Sequence, residues 1–196
     1  RGSRGSLESW DAQLARHGLA LMSDRRSAVE LIAEPFHRLA GALALPDDPR
    51  VLYRPRSKAT EPGELVRELA ERLDGDLERG FTGHGPHRDD LATDHGGHDL
   101  RAYGSQGQQR LALLALLLAE REVIADHRPA PPLMLLDDVM SELDRDRRRA
   151  LVDLLRSTAG QSVITATDLE HVPGSSDDDV TQVAVSGGRL LAMTAE

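Results

Sequence analysis

Two aspartates close an apolar run. In Leu133-Met134-Leu135-Leu136-Asp137-Asp138, a stretch suited to a buried strand stops on paired carboxylates. The first of such a pair can hold Mg²⁺, directly or through water, and the second can orient or deprotonate an attacking water. Many strands merely end in polar residues, so the pair alone decides little. Upstream, Tyr103-Gly104-Ser105-Gln106-Gly107-Gln108-Gln109-Arg110 opens a long apolar helix. Ser105 and Gln108 have the spacing of a helix capping box. The same helix start presents free N–H groups and the positive end of a dipole to an anion. Gly107 lets a phosphate approach the backbone closely, and the serine hydroxyl adds a donor. A nucleotide cradle is missing. A P-loop needs Gly-x-x-x-x-Gly-Lys-Ser/Thr, and the sole lysine, Lys58, stands in Arg56-Ser57-Lys58-Ala59 with no glycine frame. Without that cradle the chain is not expected to hold ATP tightly by itself.

Two other groups invite a chemical interpretation. His84-x-x-His87 and His95-x-x-His98 have spacing that a metal site could use, although exposed polar turns would look the same. Arg145, Arg147, Arg148 and Arg149 could meet DNA phosphates. With Asp144 and Asp146 beside them, they fit a solvated helix face better.

The elements that must carry these residues follow from apolar spacing. Leu7 to Leu45 repeats apolar residues every three or four positions, with Pro35 and Gly41 as interruptions. Val51-Leu52-Tyr53 is a short strand. A second helix carries Leu65, Leu69, Leu73 and Leu77 on one face, with Pro62 near its start. From Phe81 the composition turns Gly- and His-rich. Residues 89–93 and 98–102 suggest two strands joined across Gly96-Gly97. The helix from about Gln106 to Ile124 is apolar nearly all round and is expected to be deeply buried. Leu133–Leu136 and Ser162-Val163-Ile164-Thr165 look like buried parallel strands, with an amphipathic helix between them. Val180–Val185 and Leu190–Met193 form a last hairpin at Gly187-Gly188. Strand, helix and strand in this order indicate an α/β layer with a parallel sheet, whose ligands gather at the carboxyl ends of the strands.

Composition limits the function classes. Aromatics are only 3%, so the core must be built from Leu, Ala and Val. There is no cysteine, which excludes disulfides and thiolate metal sites and agrees with a cytoplasmic location. The longest apolar run, Leu111–Ala119, is too short to span a membrane. The first residues lack the apolar stretch of a signal peptide. A start on Arg1 rather than Met points to a fragment or a processed chain. The net charge of −9 argues against coating DNA by general charge, so any DNA contact must be a local patch.

The motifs taken together resemble the signature loop, Walker B strand and D-loop of ABC-type ATPases, and specifically those of the RecF family. Gly104-Ser105-Gln106-Gly107-Gln108-Gln109-Arg110 is similar to that family's signature, with Gln106 where most ABC enzymes have a glycine. Gly85-Pro86-His87-Arg88-Asp89-Asp90-Leu91 is similar to the block that precedes it. Asp137-Asp138-Val139-Met140-Ser141-Glu142-Leu143-Asp144 resembles its Walker B and D-loop. The resemblance implies an ABC-type P-loop NTPase head fragment of α/β class. Residues 81–196 would form the C-terminal half of the head, lacking Walker A, and residues 1–80 a mainly helical second lobe. It implies that Asp137 binds Mg²⁺ and that Asp138 positions the attacking water. Ser105, Gly107 and Gln108 would touch the γ-phosphate of ATP across a dimer interface, and Ser141 and Asp144 would make the D-loop contact between subunits. It also implies a slow ATPase, inactive as this chain alone. The complete protein would form an ATP-dependent homodimer on single-stranded and gapped DNA, with RecO and RecR as partners in loading recombinase. Thr165 or Thr167 falls where ABC transporters carry a switch histidine. That departure weakens the alternative of a transporter nucleotide-binding subunit. A non-hydrolysing repair scaffold is the other alternative.

Overall fold

The structure is a computed structural model that describes residues 4–192. Met193, expected in the last hairpin, and Arg1 to Ser3 lie outside the described residues. The chain divides into two compact units, residues 1–41 with 45–123, and residues 42–44 with 124–196.

In the first unit, helix α1 (Arg4–Ala42) runs through Pro35 without ending. The sequence predicts an interruption there. A proline inside a helix removes one backbone hydrogen bond, but Phe36, Leu39 and Ala40 continue the buried face beyond it. Strand β1 (Arg50–Arg54) precedes α2 (Pro62–Arg79), which has Pro62 in its first turn and Gly80 as a left-handed cap. Leu65 and Leu69 are buried with Ala15 and Ala59, whereas Leu77 is largely exposed. A 3₁₀ turn at Pro86–Arg88 leads into β2 (Asp90–His95) and β3 (His98–Asp99). The sheet order is β1-β2-β3, antiparallel throughout, with Leu52 opposite Ala92. Gly96 and Gly97 both have positive φ, as a two-residue hairpin turn requires. β3 is shorter than predicted. Asp99 Oδ1 accepts from the Arg101 N–H at 2.9 Å and starts the short helix α3 (Leu100–Tyr103). The composition change at Phe81 is not a seam in this unit, because β1 and β2 pair across it.

Helix α4 (Gln106–His127) is buried along Leu111, Ala112, Leu114, Ala115, Leu118 and Ala119. Leu113 and Leu117 are exposed, which corrects the expectation of burial all round. Arg38 on α1 holds Glu122 on α4 with two short hydrogen bonds.

The second unit contains β4 (Met134–Leu136), a 3₁₀ turn (Val139–Glu142), α5 (Arg145–Ser157) and β5 (Ser162–Ile164). It ends with the hairpin β6 (Val183–Ser186) and β7 (Arg189–Ala192). β4 and β5 pair in parallel, Leu135 beside Val163. Met134, Leu136, Met140, Leu151, Val152 and Leu155 form the buried side. Leu135 and Val163 are exposed, so these strands are buried on one face only, against the prediction of full burial. Among the described residues this sheet has two strands, with Leu135 and Val163 exposed on its second face.

Gly18 on α1 supplies a test of the packing. A β-carbon there would lie 2.8 Å from Pro86 Cγ and 3.3 Å from Cδ. Helix propensity alone favours alanine over glycine by about 1 kcal/mol. Pushing a methyl into a rigid proline ring costs about 1–3 kcal/mol. We expect Gly18→Ala to lower stability in chemical denaturation; an increase would show that Pro86 moves aside.

Candidate functional site

The start of α4 is built as a capping box. The Gln108 N–H donates to Ser105 Oγ at 3.2 Å, and the Ser105 N–H donates to Gln108 Oε1 at 2.8 Å. The first helical bond runs from the Gln109 N–H to the Ser105 carbonyl at 3.0 Å. The N–H groups of Gln106 and Gly107 therefore lie in the turn that lacks intrahelical acceptors. Ser105, Gln106 and Gly107 are exposed. A β-carbon on Gly107 would have Ser105 Oγ, 4.0 Å away, as its nearest neighbour. The space over this helix start is thus open to an anion. Gly104 has a packing role instead, since a β-carbon there would meet the Leu100 carbonyl oxygen at 2.6 Å.

The second group lies at the carboxyl end of β4. Asp137 and Asp138 are both exposed. Thr165, just beyond β5, holds them. Its N–H donates to the Leu136 carbonyl at 2.9 Å, its hydroxyl donates to Asp137 Oδ1 at 2.5 Å, and its Oγ1 accepts from the Asp138 N–H at 3.0 Å. Asp138 takes a left-handed conformation with φ 46°, one that aspartate tolerates better than most residues. Ser141 Oγ lies 2.9 Å from the Asp138 carbonyl and 3.0 Å from Asp138 Oδ2. Asp144 caps α5, accepting from the Arg147 N–H at 2.9 Å and pairing with its guanidinium at 3.2 Å. Arg148 donates to the Met140 carbonyl at 2.8 Å. Arg147 and Arg148 therefore brace the turn after Walker B, while Arg145 and Arg149 are exposed.

This donor set fits Mg²⁺-nucleotide. Thr165 engages one oxygen of Asp137 and leaves Oδ2 free, and Mg²⁺ typically takes one or two carboxylates with phosphates and water. Sequence reasoning placed Thr165 or Thr167 at the switch position but missed the clamp of Thr165 on both aspartates. Only the parallel register, Leu136 beside Ile164, brings it there. Ser105, Gly107 and Gln108 gather at one helix start in the first unit, and Asp137, Asp138, Ser141 and Asp144 at one turn in the second.

The histidines have separate surroundings. His84 is buried rather than an exposed turn residue, with Nε2 at 2.5 Å from Glu68. His87 bonds the Thr82 carbonyl, His95 lies near Asp47, and His98 packs on Tyr103. Among the described residues no group of three or more His, Asp or Glu is arranged to hold a metal ion. In the block before the signature, Asp89 has its side chain 2% exposed. It accepts from the Tyr53 hydroxyl and from the Arg56 N–H at 2.7 Å. Burial, with the Asp89 hydrogen bond second, pushes the Tyr53 phenol up to about 12.

RecF from Myxococcus xanthus, a DNA replication and repair protein, is 38% identical over 194 residues, 94% of this chain and 51% of that protein. RecF from Geobacter sulfurreducens is 39% identical over 200 residues, 97% of this chain and 54% of that protein. A solved structure of the recombination mediator RecF with ATP, from the RecFOR pathway, superposes with TM-score 0.78 at 27% identity over 99% of this chain and 52% of that one. Over its own length this chain is a RecF-type sequence. It spans about half the length of the curated relatives it matches. An SMC head bound to the C-terminal winged-helix domain of ScpA shares the fold, with TM-score 0.50 at 17% identity over 87% of this chain and 44% of that one. No family model matches. The architecture is thus that of RecF and SMC ATPase heads. Among the described residues no helix is long and apolar enough to cross a membrane.

Thr165→Val keeps the side-chain shape and removes the hydroxyl. Because the site is exposed, water replaces part of the loss, and the expected cost is about 0.5–1.5 kcal/mol. Thr165→Ser should restore the wild-type denaturation midpoint; equal midpoints for all three proteins would show that the clamp contributes nothing.

Proposed function

We propose that this chain supplies the signature-loop and Walker B half of a RecF-type head that closes as a homodimer on ATP and Mg²⁺. The observation that supports this most is the end of β4, where Thr165 fixes Asp137 and Asp138 with carboxylate oxygens left toward solvent. Asp137 Oδ2 would hold the metal. Asp138, set by its left-handed backbone and by Ser141, would orient the attacking water. From the other copy, the Gly107 N–H and the Ser105 hydroxyl would donate to the γ-phosphate. The Gln108 side chain would add its amide N–H groups, since its oxygen is used by the cap. Magnesium nucleotide, when bound, supplies the transferable phosphoryl group and neutralises its charge. The phosphate cradle must come from residues outside these 196, because no Walker A occurs among them. Ser141 and Asp144 already bond within the chain, so their contact across the dimer would use the faces left over. Closure would create or clamp a surface for single-stranded or gapped DNA. RecO and RecR would be the partners in loading recombinase, with slow hydrolysis as the release step. The location would be cytoplasmic. The threonine at the switch position favours this over a transporter subunit.

In the complete protein, Asp138→Asn retains an oxygen acceptor for Ser141 and removes the negative charge. ATP turnover should fall at least tenfold, and an unchanged rate would remove Asp138 from the mechanism. Ser105→Arg should block ATP-dependent dimerisation measured by light scattering. Dimerisation at the wild-type nucleotide concentration would refute the contact in trans.

A further inference from the structure

The first unit holds a pocket of about 650 Å³ that the signature loop, Walker B strand and D-loop do not line. Four arginines line it, Arg56, Arg72, Arg79 and Arg88, against one carboxylate, Asp76. They come from the chain after β1, from one face of α2, and from the 3₁₀ turn before β2. In a chain of net charge −9, this is a local reversal of sign. Arg56 and Arg88 are exposed. Neither guanidinium has a hydrogen-bond or ion-pair partner among the described residues. Arg72 donates to the Glu68 carbonyl at 2.7 Å and lies 3.8 Å from Glu71. Arg79 bonds Asp76 at 2.6 Å and stands 6.0 Å over the Phe81 ring. Phe81 is 54% exposed at the pocket wall.

Two acidic groups nearby, Glu68 and Asp89, are engaged elsewhere. Glu68 accepts from Ser57 at 2.6 Å and bonds His84. Burial pushes its carboxyl up, but those two hydrogen bonds and the nearby positive charges outweigh it and hold Glu68 below its ordinary value. Asp89 is turned inward onto Tyr53, Arg25 and the Arg56 N–H. Asp76 is held by the Gly83 N–H as well as by Arg79. The carboxyl end of α2 points its dipole the wrong way for an anion, but that field is weak beside several full charges. The exposed guanidiniums of Arg56 and Arg88 keep their donors available for charge-assisted hydrogen bonds to an anion at this pocket.

We infer that this pocket binds one unpaired nucleotide of a nucleic-acid strand, its phosphate among Arg56, Arg72 and Arg88 and its base stacked on Phe81. An exposed aromatic beside a cationic groove is the combination that holds single strands. The volume lies within the range of small-ligand sites, about 300–1,000 Å³. Inside a duplex the bases are paired and stacked, so base faces are offered only at the two ends of a blunt duplex. The site rests on the nucleic-acid part of the proposed function and adds where, and in what form, a strand is held.

The test is fluorescence anisotropy with a labelled decathymidylate and a blunt duplex of the same length. Arg56→Ala/Arg88→Ala should weaken single-strand binding at least tenfold and lower its salt slope by about 1.4, two contacts at about 0.7 each. Phe81→Ala should weaken it about five- to tenfold, and duplex binding should stay within twofold in both variants. Thymidine monophosphate should compete and inorganic phosphate should compete more weakly; equal competition would reduce the site to a phosphate pocket and overturn the stacking. Unchanged single-strand binding, an equal loss for duplex, or capture of a polyglutamate peptide in place of the strand would each overturn the proposal. Turnover by Asp138→Asn reads the ATPase separately, so the two can fail independently.

Discussion

The Asp89 carboxylate, almost wholly buried, accepts from the Tyr53 hydroxyl, the Arg56 N–H and the Arg25 guanidinium. A buried carboxylate persists only when its oxygens are met by donors. Here the donors belong to α1, the end of β1 and the chain just after it. One charge thus ties the helix to the strand, and the strand to the 3₁₀ turn at Pro86–Arg88. Arg25 strengthens the tie by donating to the Pro86 carbonyl at 2.6 Å. Pro86 in turn lies against Gly18, where an added β-carbon would stand 2.8 Å from its Cγ. The hub fixes the backbone at Arg56 and next to Arg88, both of which line the pocket.

The same constraint operates in the second unit in a milder form. Asp137 and Asp138 are exposed and need no donor for solvation. Their orientation nevertheless depends on one hydroxyl, Thr165, which donates to one carboxylate and accepts from the next backbone N–H. A group that both donates and accepts can set two neighbours at once. A carboxylate that gives one oxygen to the protein and keeps one for a ligand is suited to metal chemistry. In an acidic chain, chemistry falls to the carboxylates that the fold has not used up. Asp76 and Asp89 are used in caps and ion pairs.

What could be read from the sequence was whatever depends on local spacing. The capping box of Ser105 and Gln108, the hairpin glycines at 96–97 and 187–188, and the parallel strands around Asp137 all rest on short-range rules. The strand expected over 98–102 gave way to α3 because Asp99 prefers to cap. Burial was overestimated for α4 and for β4, where Leu113, Leu117 and Leu135 face outward. Periodicity reports how apolar a face is, not whether the chain itself covers it. The arginine pocket was invisible for a different reason. Arg56, Arg72, Arg79 and Arg88 are scattered along the sequence, and only the pairing of β1 with β2 and the packing of α2 bring them to one place. The run Arg145–Arg149 looked more basic on paper, yet two of its members hold the turn after Walker B.

A capping box and a phosphate contact at the same residues look like rival explanations of the α4 start. Hydrogen-bond capacity shows that they are compatible. Ser105 Oγ accepts from the Gln108 N–H and still has a proton to donate. The Gln108 oxygen is occupied, but its two amide N–H donors are not consumed by the cap. The Gly107 N–H lies in the first helical turn, where no intrahelical carbonyl can reach it. The cap fixes the geometry, and the donors left over all have the polarity an anion requires. Gly104, by contrast, is required for packing against the Leu100 carbonyl and would be required with no ligand at all. Within one loop, then, the fold requires a glycine at 104 and leaves room for a side chain at 107.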